Sequence, residues 1–125
     1  MVDPATRQII ATAFSCGRCH DFRLFKESST QIHPHTQVVT DTGYQGIGKI
    51  HPNSRHPKKH SRRTPLSRLD RQDNRALSRA RLLNEHVIGA LKRFKIIAER
   101  YRNRRKRFRL RFNLIAGIYN FQLKS

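Results

Sequence analysis

A chain of 125 residues has room for one domain, and with 36% apolar residues the core of that domain must be small. Its 27 Lys and Arg against eight Asp and Glu give a formal charge of +19, far beyond what solubility requires and of the sign that seeks phosphate polymers. Nucleic acid is therefore the leading partner; secretion and membrane spanning lack support, because no basic and apolar leader follows Met1 and no run approaches about 18 consecutive apolar residues. The expected compartment is the cytosol.

Residues 8–15 (QIIATAFS) form a short, nearly continuous apolar run after the Asp3-Pro4 turn, the pattern of a strand buried on both faces. It reads as the second arm of a hairpin whose first arm is reduced to Met1 and Val2, so the chain is expected to begin inside a fold and to leave this strand poorly covered. Cys16, Cys19 and His20 spell the CxxCH string of haem attachment and contain a redox-type thiol pair. Haem attachment needs an exported chain and a thioredoxin-like pair opens a helix, so two reduced thiols at a strand end are expected instead. A zinc site from Cys16, Cys19, His33 and His35 is disfavoured by the single residue, Pro34, between the histidines; His56 and His60 are better spaced but lie in a basic loop. Asp21 is expected to cap a short helix through about Ser28, with Phe22 and Phe25 on one side.

Residues 36–40 (TQVVT) predict a strand that ends at Asp41, where Gly43 allows a sharp exit. Residues 44–50 predict a short helix, and residues 51–65, rich in Pro, Ser, His, Lys and Arg, an exposed basic loop. From Ser67 to about Ile97 the pattern is helical, with Leu77, Ala80, Asn84, Val87, Leu91 and Phe94 on one stripe. Glu85 lies off that stripe and shares a face with Arg81 and Gly89, with Lys92 about two turns on. By spacing alone Arg81 and Glu85 are better read as an ordinary surface pair, worth about 0.2–0.5 kcal/mol.

Residues 99–111 hold eight basic side chains, Arg100, Arg102, Arg104, Arg105, Lys106, Arg107, Arg109 and Arg111, which no globular core requires. Phe108, Phe112, Ile115 and Tyr119, with Leu114 and Ile118, then predict a closing helix packed back on the sheet. The aromatic residues go to the core and the cations face phosphate, giving salt-dependent affinity indifferent to sequence.

Taken together, Asp41-Thr-Gly43-Tyr44, Arg81-x3-Glu85-x6-Lys92, Gly17-x2-His20-Asp21 and the run from Arg100 into Arg111-Phe-Asn-Leu-Ile-Ala-Gly117 resemble the C-terminal half of a DDE transposase of bacterial insertion sequences, in the insertion-sequence-five-like group. The resemblance implies an α/β, ribonuclease-H-like fold, here incomplete: a small mixed sheet without its first strands, a long helix and a C-terminal helix. It implies three carboxylates holding two Mg²⁺ (or Mn²⁺) ions that activate water or a 3′-hydroxyl for attack on a DNA phosphodiester. Asp41 matches the second Asp of the family and Glu85 the Glu; Arg81 and Lys92 match the basic residues flanking that Glu, the Lys being associated with gripping the transposon end. Ser78 stands where the wider superfamily often has a Tyr, so that Tyr's role is not carried over.

The family's first Asp, upstream of the hairpin, has no match, and Asp3 is a turn residue. The expectation is a truncated, degenerate or frameshift-derived transposase piece, inactive alone, whose partners are DNA and full-length transposase or an upstream frameshift product. The competing readings are a small basic nucleic-acid-binding protein without chemistry and a regulator of transposition.

Overall fold

In a computed structural model, residues 1–15, 17–98 and 107–125 are described. The chain forms two compact units, one of residues 15–82 and the other of residues 1–14 with 83–125.

The first of these units opens with α1 (Asp21–Glu27). Its cap is His20, one residue earlier than expected: the imidazole Nδ1 accepts the Phe22 N–H at 3.3 Å, and Asp21 instead occupies the first turn, where a negative charge favours the helix dipole. Phe22 and Phe25 do share a side, both rings meeting Tyr44, with centroids 5.4 and 6.2 Å away. Strand β1 is Val38–Val39, within the expected run, and it pairs in parallel with β2 (Ser54–Arg55), Val38 opposite Ser54 and Val39 opposite Arg55.

That pairing corrects the reading of residues 51–65 as an exposed loop. The segment carries a strand, and the His51 side chain is buried with its Nε2 2.7 Å from the Thr36 carbonyl. Backbone bonds reach across to it from Val38 N–H to Asn53 C=O and from Thr40 N–H to Arg55 C=O. Composition suggested a loop because a ladder made of main-chain groups places little demand on side-chain type. Between the strands, residues 44–50 make only a 3₁₀ turn, Ile47–Lys49, entered through Gly46 at φ 87°, and the Ile47 side chain is fully enclosed.

Helix α2 (Arg68–Lys92) starts at a reciprocal cap: Ser67 Oγ accepts the Asp70 N–H and an Asp70 carboxylate oxygen accepts the Ser67 N–H, each at 3.1 Å. The Lys58 ammonium donates to the same carboxylate, tying the basic segment to the helix start. Asn74 adds a two-point contact with the Lys58 backbone, accepting its N–H at 2.9 Å and donating to its carbonyl at 3.0 Å. The helix passes from one unit to the other after Leu82, and its predicted stripe divides accordingly. Leu77 is buried in the first unit and Val87 and Leu91 in the second, while Ala80 and Asn84 are exposed.

The second unit is built on Val87, Leu91, Ile115 and Tyr119, with Val2, Ile9, Ala90, Phe94, Ile97 and Phe112 packed against them. After α2 the backbone tightens, Phe94 N–H bonding the Leu91 carbonyl at 3.1 Å, and a short α3 (Lys95–Ala98) follows. Helix α4 (Phe108–Leu123) buries Ile115, Ala116 and Tyr119, but Leu114 and Ile118, assigned to its buried stripe, are exposed at 63% and 41%. Its core partners come from the end of α2, from α3 and from the N-terminal segment.

Residues 8–15 do not form the expected doubly buried strand. A single antiparallel bridge joins Val2 to Ile9, closed by the Asp3 turn, and Ile10 is 65% exposed. Asp3 is indeed a turn residue, accepting the Ala5 N–H at 2.9 Å and the Thr6 hydroxyl at 2.7 Å. Main-chain bonds from the Asp3 N–H to the Gln8 carbonyl and from the Ile10 N–H to the Met1 carbonyl make the expected short hairpin, and α4 adds side-chain bonds to the segment. Asn120 bonds both the N–H and the C=O of Ile9 at 2.8 Å, Asn113 accepts the Thr12 hydroxyl at 2.7 Å, and Arg109 donates to the Phe14 carbonyl at 3.2 Å. Phe14 stands edge-on to Phe108 and Phe112, with centroids 5.9 and 5.4 Å away.

Candidate functional site

Asp41 comes two residues after β1, just beyond Thr40, whose N–H makes the last main-chain bond to the partner strand at Arg55. Its Oδ1 accepts the Gly43 N–H at 2.8 Å and its backbone carbonyl accepts the Tyr44 N–H at 3.2 Å, which closes the turn. Gly43 is needed for closeness: a Cβ there would stand 3.1 Å from Asp41 Oδ1, 3.4 Å from His20 Cε1 and 3.6 Å from His20 Nε2. Any side chain at this position would press on the carboxylate.

From α2, the Arg81 guanidinium stands 3.9 Å from Asp41 Oδ2, with the two side chains 36% and 41% exposed. That separation exceeds a hydrogen bond, so the arginine attracts the carboxylate without saturating its lone pairs. Tyr44 lies beside the turn; burial first, and then the negative charges of Asp21 and Asp41, push its phenol above the ordinary range. Asp41 and the His20 ring both lie near the Gly43 position of this turn, and the Phe22 and Phe25 rings meet Tyr44 beside it.

Asp41 suits one ligand position of a hard divalent cation: its carboxylate is partly exposed, fixed on one oxygen by a backbone N–H and only loosely met on the other. No three His, Cys, Asp or Glu side chains converge among the described residues, so Asp41 has no full ligand shell of its own there. Glu85 and Lys92 belong to the second unit, and both are exposed on α2.

Of the basic run, Arg107 is described and exposed, at the residue before α4, while Arg100, Arg102, Arg104, Arg105 and Lys106 lie outside the described residues. So does Cys16; Cys19 is a free thiol, half exposed, and its Sγ is 3.7 Å from the His20 carbonyl. His33 and His35 stack at 5.3 Å, His33 Nδ1 accepting the His35 N–H, which gives these loop histidines a local structural role. No helix among the described residues is long and apolar enough to cross a membrane.

Sequence reasoning placed Asp41, Gly43 and Arg81 but gave His20 no role of its own. The available signal was its place immediately before a helix opened by Asp21, where a side-chain acceptor is wanted.

A strand-end acid closed by a glycine turn and faced by an arginine from a long helix defines a carboxylate site in a mixed α/β domain. Residues 1–121 match the family described as Transposase DDE domain, and the chain belongs to that family. A protein of Microchaete diplosiphon described as "Probable transposase for insertion sequence element IS702" is 46% identical over 123 residues, which is 98% of this chain and 45% of that protein. The chain therefore spans less than half the length of the curated relative it matches. No solved structure matches.

Proposed function

We propose that these residues are the downstream part of the catalytic domain of a DNA transposase, of ribonuclease-H-like fold and insertion-sequence-five-like type, acting on transposon ends and target DNA in the cytoplasm. Asp41 and Glu85 are its two metal ligands for Mg²⁺ or Mn²⁺. When bound, such ions polarise a phosphodiester and activate water or a 3′-hydroxyl for in-line attack. Arg81 and Lys92 contact DNA phosphates near the carboxylates, and Arg100, Arg102, Arg104, Arg105, Lys106 and Arg107 hold the duplex backbone. The observation that carries the reading is the setting of Asp41: an acid, in the motif of the resemblance, held open just past a strand end by the Gly43 N–H and faced by Arg81.

These 125 residues alone bind DNA but do not cut it, because two carboxylates amid a charge of +19 hold divalent cations weakly. The test is incubation of the chain with DNA carrying transposon ends in Mg²⁺ or Mn²⁺. Binding without strand cleavage is expected. Cleavage abolished by Asp41→Ala or Glu85→Ala would confirm the ligands and refute the inactivity; cleavage indifferent to both substitutions would overturn the site.

A further inference from the structure

Helix α2 carries a basic surface that neither the carboxylate site nor the run at residues 99–111 uses. At about 3.6 residues per turn, Arg68, Arg71, Arg75 and Arg79 fall within about 80° of arc, spread along roughly 16 Å of the helix axis. All four are exposed, and the buried Leu77 lies on the opposite side of the helix. Both acids of this stretch, Asp70 and Asp73, also lie on the far side, and Asp70 is already engaged by the Lys58 ammonium and the Ser67 N–H. Arg81 stands about a third of a turn from the stripe, on the side that faces Asp41. These residues all belong to one unit.

No Asp or Glu stands three or four residues before or after any of the four arginines, and among the described residues none of them forms an ion pair. They are instead neighbours of one another, Arg68 with Arg71, Arg71 with Arg75 and Arg75 with Arg79, and like charges at those spacings work against a helix. Stability alone calls for Glu or Gln at such positions. Three successive repulsions are relieved when a polyanion lies along the face. The arginines recur every 5–6 Å of axis, roughly, which is of the order of the phosphate density of a duplex strand, one per about 3.4 Å. We propose that Arg68, Arg71, Arg75 and Arg79 form a phosphate-binding face for duplex DNA, on the side of α2 turned away from Leu77. The proposal rests on the reading that the chain binds DNA. Guanidinium groups in such a row grip backbone oxygens and fix the position of the duplex without reading its bases.

The test compares two variants of the full chain with equal loss of charge. One combines Arg71→Gln, Arg75→Gln and Arg79→Gln; the control combines Lys26→Gln, Lys49→Gln and Lys124→Gln, at exposed positions off this helix. Fluorescence anisotropy on a duplex without transposon sequence, across a salt series, reads the slope of log affinity against log salt, to which each phosphate contact contributes about 0.9. The α2 variant should flatten that slope by about 2–3 and the control by less than about 1. Its urea midpoint should stay level or rise, because the repulsion along the helix is gone. Equal flattening in both variants would reduce the stripe to its share of the overall charge, and a lowered midpoint would assign the arginines to folding; either result overturns the proposal. A parent chain that does not bind duplex DNA would overturn the DNA-binding reading and this face with it. A parent that binds with a slope unmoved by the α2 substitutions would overturn the face alone.

Discussion

The Asn120 carboxamide takes the place of a neighbouring strand for Ile9, accepting its N–H and donating to its C=O, both at 2.8 Å. A primary amide offers the same donor and acceptor as a peptide group, so one side chain on α4 satisfies both main-chain groups that a ladder would have paired. Asn120→Ala leaves them without partners in a half-buried setting and should cost about 1–3 kcal/mol, read as a lower urea midpoint with an unchanged slope. An unshifted midpoint would mean that water replaces the amide freely.

DNA affinity should fall steeply with salt whatever the sequence. Each neutralised phosphate contributes about −0.9 to the slope of log affinity against log salt, so replacing Arg104, Arg105 and Lys106 by Gln should flatten that slope by about 2–3. Fluorescence anisotropy on two unrelated duplexes across a salt series decides it. A loss confined to one duplex would instead indicate base readout.

The start of α2 should be sensitive to acid. The hydrogen bond from Lys58, and then the backbone and hydroxyl of Ser67, hold the Asp70 carboxyl below its ordinary value of 3.8. A depressed folded-state value means that the unfolded chain binds the proton more readily, so the stabilisation is present above the ordinary carboxylate range and lost as pH falls through the folded value. Amide exchange at Arg68 to Arg71 should accelerate there, and Asp70→Asn should remove that dependence. Ser67→Ala should cost about 1 kcal/mol at neutral pH through loss of the cap hydroxyl.

Arg81→Gln should separate function from folding. Its pairing with Asp41 at 3.9 Å joins two partly exposed side chains, a class of ion pair worth about 0–1 kcal/mol, so the unfolding midpoint should barely move. Binding to transposon-end DNA should weaken, because the cation beside the carboxylate site is gone. A large drop in stability would show that Arg81 holds the turn and does not serve DNA.

What the sequence determined by itself was the chemistry of single positions and of local runs. Asp41 after an apolar run, Gly43 two residues on and Arg81 on a periodic helix could be read directly, because a strand end, a tight turn and a helix face are set by neighbouring residues. The charge of +19 pointed to a phosphate polymer as the partner to test, and the motifs identified the transposase family. Tertiary structure decided how those pieces are paired. Residues 51–65 give no sign that Ser54–Arg55 will find Val38–Val39, since the ladder is made of main-chain groups common to every residue. The run at residues 8–15 looked like a buried strand because apolar content does not specify a partner; the partner is a set of side chains more than ninety positions away, Arg109, Asn113 and Asn120. His20 was read only as part of a motif, and its service as the α1 cap shows only when the folded backbone brings the Phe22 N–H onto its Nδ1.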